Sequence, residues 1–198
     1  MKNKGISTLA PKKIWFDNSI NRLNDEGHGE LLGEFAAEEK ILIISNLAFY
    51  ELMSYDLSNH FPENLIILKK FNKKQIITCI YFNPKNKLFY IKRFMPKMNN
   101  KKNYFLPKGE GFYLKLLFLD DNNIKLNFHK NKNKKDRDSI EINPSEFIGI
   151  KGVGAIGKQL SRHKIKSIDI IKKKEIQNET FSSNDLNEMG KQIKMNFN

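Results

Sequence analysis

Short apolar runs separated by tight polar turns recur along the chain, and that recurrence limits the possible folds more than any other feature. EEKILIIS and AFYELMSYDL flank a turn at Asn46; QIITCIYF and KLFYIKRF flank NPKN, where Pro84 presets the turn; GFYLKLLFL and IKLNFHK flank DDNN. Runs of this length, rich in β-branched and aromatic residues and bounded by Asn, Asp and Pro, are strand signals, and each pair reads as a hairpin. Phe35 and Phe71 lie 36 positions apart, as do Ile41 and Ile77; further equal steps reach Tyr113 and Gly149. One supersecondary unit repeated at this period predicts an all-β array of antiparallel blades, propeller-like rather than a single sandwich. The one helix-like stretch, SSNDLNEMGKQIKMNF, is polar, so residues 175–198 are expected to be a disordered or weakly helical tail.

The 198 residues are 39% hydrophobic and 11% aromatic, enough for a real core. Cys79 is the single cysteine, which excludes an internal disulfide framework and fits a buried thiol in a reducing compartment. The start MKNKGISTLAPKK lacks the apolar stretch of a secretory signal, and no apolar run approaches the roughly 18 residues of a spanning helix. A soluble, cytoplasmic chain with no membrane partner is expected.

Charge is uneven. Residues 1–66 carry 6 Lys+Arg against 10 Asp+Glu, residues 67–135 carry 18 against 3, and residues 136–198 carry 11 against 9, giving the net +13. A compositional drift that swaps Arg for Lys (31 Lys, 4 Arg) would raise Lys everywhere and would not leave the first third acidic. The basic middle is the footprint of a polyanion, nucleic acid first, with an acidic protein partner of a propeller-like interaction module as the alternative.

KGVGAIGKQL, residues 151–160, tests a different idea. Gly152, Gly154 and Gly157 match a dinucleotide fingerprint, and Gly152 to Lys158 matches most of a phosphate loop. The following KQLSRHKIKS offers only Leu160 and Ile165 as apolar anchors, too few for the crossover helix a dinucleotide fold needs. Gln159 stands where a phosphate loop requires a hydroxyl. The three glycines are therefore read as a structural corner that needs φ > 0 and close backbone approach. His28, His60, His129 and His163 have no metal-ligand spacing, and no catalytic triad or carboxylate pair stands out, so no catalytic or metal residues are assigned.

KKIWFD, INRLNDEGHGELLGEF, EKILIISN, FYELMSYDLSNHF, LIILKKF, IYFNP and FYIKRF, in this order, resemble the C-terminal domain of the A subunit of bacterial topoisomerase IV or DNA gyrase. EFIGIKGVGAIGKQLSRHKI resembles a late blade of that domain, and the resemblance runs from about Gly5 to Ile171. It implies a β-pinwheel, a propeller-like disc whose blades exchange strands and whose basic rim binds or wraps duplex DNA. It also implies a parent type II topoisomerase that breaks both strands through a tyrosine and draws on ATP and Mg, with the ATP on a partner B subunit. Nothing in this chain resembles the breakage–reunion domain, so no tyrosine is assigned as nucleophile and no cofactor is expected here. The glutamine-arginine-glycine box of the gyrase wrapping blade is missing, which brings the chain nearer topoisomerase IV. Five or six blades complete such a disc; this length supplies three or four, so a partial disc from a larger subunit is expected. Its blades fall at about 5–62, 63–98, 104–143 and 144–174, within a DNA-binding region at 1–174, and nucleoid association follows.

The candidate DNA contacts are Lys69, Lys70, Lys73, Lys74, Lys92, Arg93, Lys97, Lys101, Lys102, Lys108, Lys151, Lys158, Arg162 and Lys164. Lysine is a flexible point charge suited to phosphates, whereas bidentate reading of base edges is mostly an arginine property. Backbone binding without sequence preference is expected. The aromatics, Trp15 included, fall in strand patterns and are read as core in preference to base-stacking platforms.

Overall fold

The computed structural model describes residues 10–119, 121–130 and 136–171, so the 175–198 tail lies outside the described residues. The first unit is β1 (Lys12–Asp17), β2 (Arg22–Asn24) and β3 (Glu30–Phe35); the second is β4 (Ile41–Ser45), β5 (Phe49–Met53) and β6 (Leu65–Lys70). The third has β7 (Ile77–Asn83), β8 (Leu88–Phe94), the two-residue β9 (Asn103–Tyr104) and β10 (Tyr113–Phe118). The fourth has β11 (Asn123–Phe128), β12 (Ile140–Ile142), the single helical turn α1 (Pro144–Phe147), β13 (Lys158–Gln159) and β14 (Ile165–Ile171).

One rule generates all four sheets. The first strand of a unit sits in the middle, the second folds back on it as a hairpin, and the last returns along its other side. Before that return, the chain of a later unit visits the sheet before it. Thus β9 adds to β5 of the second sheet, and β13 adds to β8 of the third. The orders are β2-β1-β3, β6-β4-β5-β9, β10-β7-β8-β13 and β12-β11-β14, and every named strand pair is antiparallel. Each of these two visits plants one large apolar side chain, Phe105 and Leu160, and both are buried; Phe61, ahead of β6, is buried against the first sheet without pairing to it. Phe105 N–H donates to Ala48 O and Leu160 N–H to Phe89 O, both at 3.0 Å.

Strand composition fixes where each sheet sits. β4 is buried at all five positions, because Ile41 and Ile43 face the first sheet while Leu42 and Ile44 face the third. In β7, Ile77 and Cys79 face the second sheet and Ile80 faces the fourth. Continuous apolar runs of this kind belong to strands covered on both faces. β11 alternates instead: Ile124, Leu126 and Phe128 are buried, and its other face carries polar residues. There Asn127 donates to Ser167 Oγ (2.9 Å) and to Asp169 Oδ2 (2.7 Å), a face suited to water. The result is a stack of four sheets with three cores between them, in which each fully buried Ile, Leu or Phe contributes about 1.5–3 kcal/mol.

The architecture is the all-β, propeller-like partial array expected, with three corrections in its detail. GFYLKLLFL and IKLNFHK do not form a hairpin: β10 pairs with β7, whereas β11 pairs with β12 and β14. A short polar connection between two apolar strands carries the same local signal whether it reverses the chain or passes it to the next sheet. The blade limits shift too, because β6 closes the second sheet and does not open the third. Units begin at Lys12, Ile41, Ile77 and Asn123, spacings of 29, 36 and 46, so the 36-residue period holds for one step only. Among the described residues no helix is long and apolar enough to cross a membrane.

Candidate nucleic-acid interface

The fourteen candidate cations meet three fates. Lys92 and Arg93 are corrections, because the structure buries them at 2% and 8% exposure. β8 lies inside the stack with Lys92 opposite Cys79 in register. The Lys92 ammonium donates to the carbonyl oxygens of Phe105 and Val153, both at 2.7 Å, and lies 5.6 Å from the centre of the Phe94 ring. Burial holds its pKa below the ordinary lysine value, and burial pushes the Cys79 thiol up to about 12. Arg93 Nη1 donates to Ile148 O (3.2 Å), while its own carbonyl accepts from Lys151 N–H (2.8 Å). These two side chains fasten the visiting segments 103–105 and 148–153 to β8, and neither is presented on the surface.

Lys69 and Lys70 are half-buried on β6. Lys70 pairs with Glu39 (2.7 Å), donates to the Glu34 carbonyl and lies over the Phe35 ring at 5.2 Å. The hydrogen bond from Lys70 holds the Glu39 carboxyl below its usual range, with a second from Ala36 N–H.

The other ten, Lys73, Lys74, Lys97, Lys101, Lys102, Lys108, Lys151, Lys158, Arg162 and Lys164, are exposed. Among the described residues the ion pairs are Lys12–Asp25, His28–Glu26, Lys70–Glu39 and Lys130–Asp136, so none of the ten is neutralised by a carboxylate. Lys73 and Lys74 share a groove of about 740 Å³ with Lys40, Lys70, Phe71 and Met98, where the β3–β4 and β6–β7 connections meet the segment after β8. Tyr50 Oη accepts from Lys97 N–H (2.8 Å), which anchors that segment. Lys102 lies 5.1 Å over Phe49, and Lys158 lies 4.0 Å over Phe147 while donating to its carbonyl (3.1 Å).

The ten do not form one row. Antiparallel order puts the groove at the end of the stack where units connect, and Lys108, Arg162 and Lys164 at the opposite end, beside the hairpin tips; Lys164 O there accepts from His129 N–H (3.1 Å). Lys40, Lys85, Lys87 and Lys115 were not among the fourteen candidates. Lys85, Lys87 and Lys115 are exposed, and Lys40 lines the groove. Lys85 sits inside the NPKN motif and Lys87 directly after it; a turn tip projecting cations beyond a sheet was the usable signal.

The reason given for the glycine corner holds at one of its three positions. Gly157 has φ +91°, and a Cβ there would lie 2.3 Å from Ile91 O. A side chain would collide with the β8 backbone at the point where β13 docks. Gly152 and Gly154 have open space around the Cβ position and no left-handed φ, so that reason does not apply to them.

A family model described as the topoisomerase C-terminal domain of Bacteroidota matches residues 22–173. Among solved structures, a crystal structure of the C-terminal domain of DNA topoisomerase IV is similar, with TM-score 0.47 and 17% identity over 73% of this chain and 51% of that one. The chain thus spans about half the length of that structure. No curated protein matches.

Proposed function

Because the chain belongs to the family of topoisomerase C-terminal domains, we propose that it is a non-catalytic DNA-binding part of a type II topoisomerase, gripping duplex DNA by its sugar-phosphate backbone. The observation that carries this is the set of ten exposed cations without a carboxylate partner among the described residues. Cations held out in water at both ends of the third sheet lower the potential energy of a polyanion laid across it. Nine of the ten are lysines, which suits phosphate contact with little base preference. In the parent enzyme the domain would hold DNA for a breakage–reunion A subunit and its ATP-driven B subunit, supporting supercoil relaxation or decatenation. The missing glutamine-arginine-glycine box favours the topoisomerase IV role over chiral wrapping.

The test is titration of the whole chain with two unrelated duplexes at rising salt. Affinity should fall steeply and equally for both, with a logarithmic slope near 0.9 per phosphate contacted. Charge reversal of Lys73, Lys74, Lys101 and Lys102 to Glu should weaken both by about tenfold or more. Binding that is flat with salt, or indifferent to the reversals, would overturn the reading, and tight binding to polyglutamate alone would replace it with an acidic protein partner.

A further inference from the structure

Between the β4–β5 turn, the visiting segment around β9 and the start of β10 lies a groove of about 590 Å³ that the backbone-binding reading leaves unused. Leu47, Tyr104, Pro107, Lys108, Phe112 and Tyr113 line it, and no carboxylate does. Leu47, Tyr104 and Tyr113 are 62%, 64% and 48% exposed, a concentration of large apolar surface in water that calls for a ligand.

The two tyrosines are held in place from behind. Tyr113 stacks on Phe82 with ring centres 5.1 Å apart and planes 21° from parallel. Tyr104 leans on Phe49 at 5.6 Å, and Lys102 covers that same Phe49 ring. Rings fixed by neighbours while much of the residue faces water are stacking platforms that lose little freedom on binding. Lys108 stands in the groove wall, and Lys101 and Lys102 directly precede the segment that carries Tyr104. Flat apolar faces flanked by cations complement flat rings strung on phosphates. A duplex cannot use them, because its bases are stacked inside.

We infer that this groove takes the unpaired nucleobases of a single-stranded DNA segment, stacked on Tyr104 and Tyr113 with phosphates against Lys108 and Lys102. The inference rests on the nucleic-acid reading above and adds a second mode of contact to it.

The test compares a mixed-sequence single strand with the duplex of the same sequence, bound to the full chain and followed by anisotropy. Tyr104→Ala with Tyr113→Ala should lower single-strand affinity about tenfold or more and leave duplex affinity within about twofold. Tyr104→Phe with Tyr113→Phe keeps the rings and should keep the affinity. Independently of any variant, photocrosslinking of an iodouracil-substituted single strand to the unaltered chain should map to Tyr104 or Tyr113. Duplex binding with a single-strand affinity indifferent to ring loss, or crosslinks elsewhere, would overturn the inference alone and leave the groove to an apolar peptide. Failure of the unaltered chain to bind either nucleic acid would overturn both readings.

Discussion

Lys92 and Val153 stand 61 positions apart in the chain, yet the lysine ammonium donates to the Val153 carbonyl oxygen across 2.7 Å. The same ammonium holds the Phe105 carbonyl, so one side chain ties two visiting segments to β8. Lys92→Met keeps the apolar stem and removes the donor, leaving two buried carbonyls to find new partners. The expected loss is about 2 kcal/mol, after the relief of desolvating a charge offsets part of the cost of two orphaned acceptors. Urea denaturation measures it. Duplex affinity at a temperature where both proteins are folded should stay within about twofold, and a fall comparable to that of a Lys73 variant would restore Lys92 to the DNA surface.

Gly157 and Gly154 separate two roles within one motif. Gly157→Ala must strain a left-handed backbone and push a methyl into Ile91 O, costing about 2 kcal/mol or more. Gly154→Ala meets open space and should stay within about 0.5 kcal/mol of the parent. Equal midpoints for the two variants in a denaturant series would refute the close-approach argument.

Lys70 and Lys73 line the same groove but differ in what they hold. Lys70→Gln breaks the pair with Glu39, a half-exposed interaction worth about 1 kcal/mol at most, and should change duplex affinity less than Lys73→Gln does. Each lost phosphate contact should also reduce the salt slope by roughly 0.9, which a titration series reads directly.

Cys79 makes the fold sensitive to alkali. Its thiol is pushed up to about 12 in the folded chain against 9.0 when free, so the folded state keeps a proton that the unfolded state gives up. Because the folded value is the higher one, the stabilisation is complete below pH 9 and drains away as pH climbs towards 12. The steepest contribution is about 1.4 kcal/mol per pH unit. Tyr81, raised from 10.0 to about 12, acts in the same direction at higher pH. Denaturation midpoints of the parent should therefore fall faster above pH 9 than those of Cys79→Val, and parallel curves would sink the argument.

Much of the core was legible in the sequence. ILIIS and ITCIY are apolar at nearly every position, and both proved to be strands covered on two faces. The β4–β5 and β7–β8 hairpins follow from turn chemistry at Asn46 and Pro84. That blades exchange strands was implied by the family resemblance, but which residues cross over was not legible, because β9 and β13 are two residues long and consist of Asn103, Tyr104, Lys158 and Gln159, which carry no periodic signal. Lys92 and Arg93 misled for a related reason. Charged residues in a strand suggest a wet face, and only the neighbouring sheets reveal that this strand has none. Tyr104 and Tyr113 were read as core because an aromatic in a strand pattern does not announce its own exposure.

The backward hand-over of strands has a consequence for how the chain is made. On a ribosome the hairpin of β4 and β5 emerges early, but its sheet lacks an edge until Tyr104 has left the exit tunnel, and the third sheet waits for Gln159. The second and third sheets are thus each finished by residues translated after the next sheet has begun, and their assembly trails synthesis by one unit along the growing polypeptide.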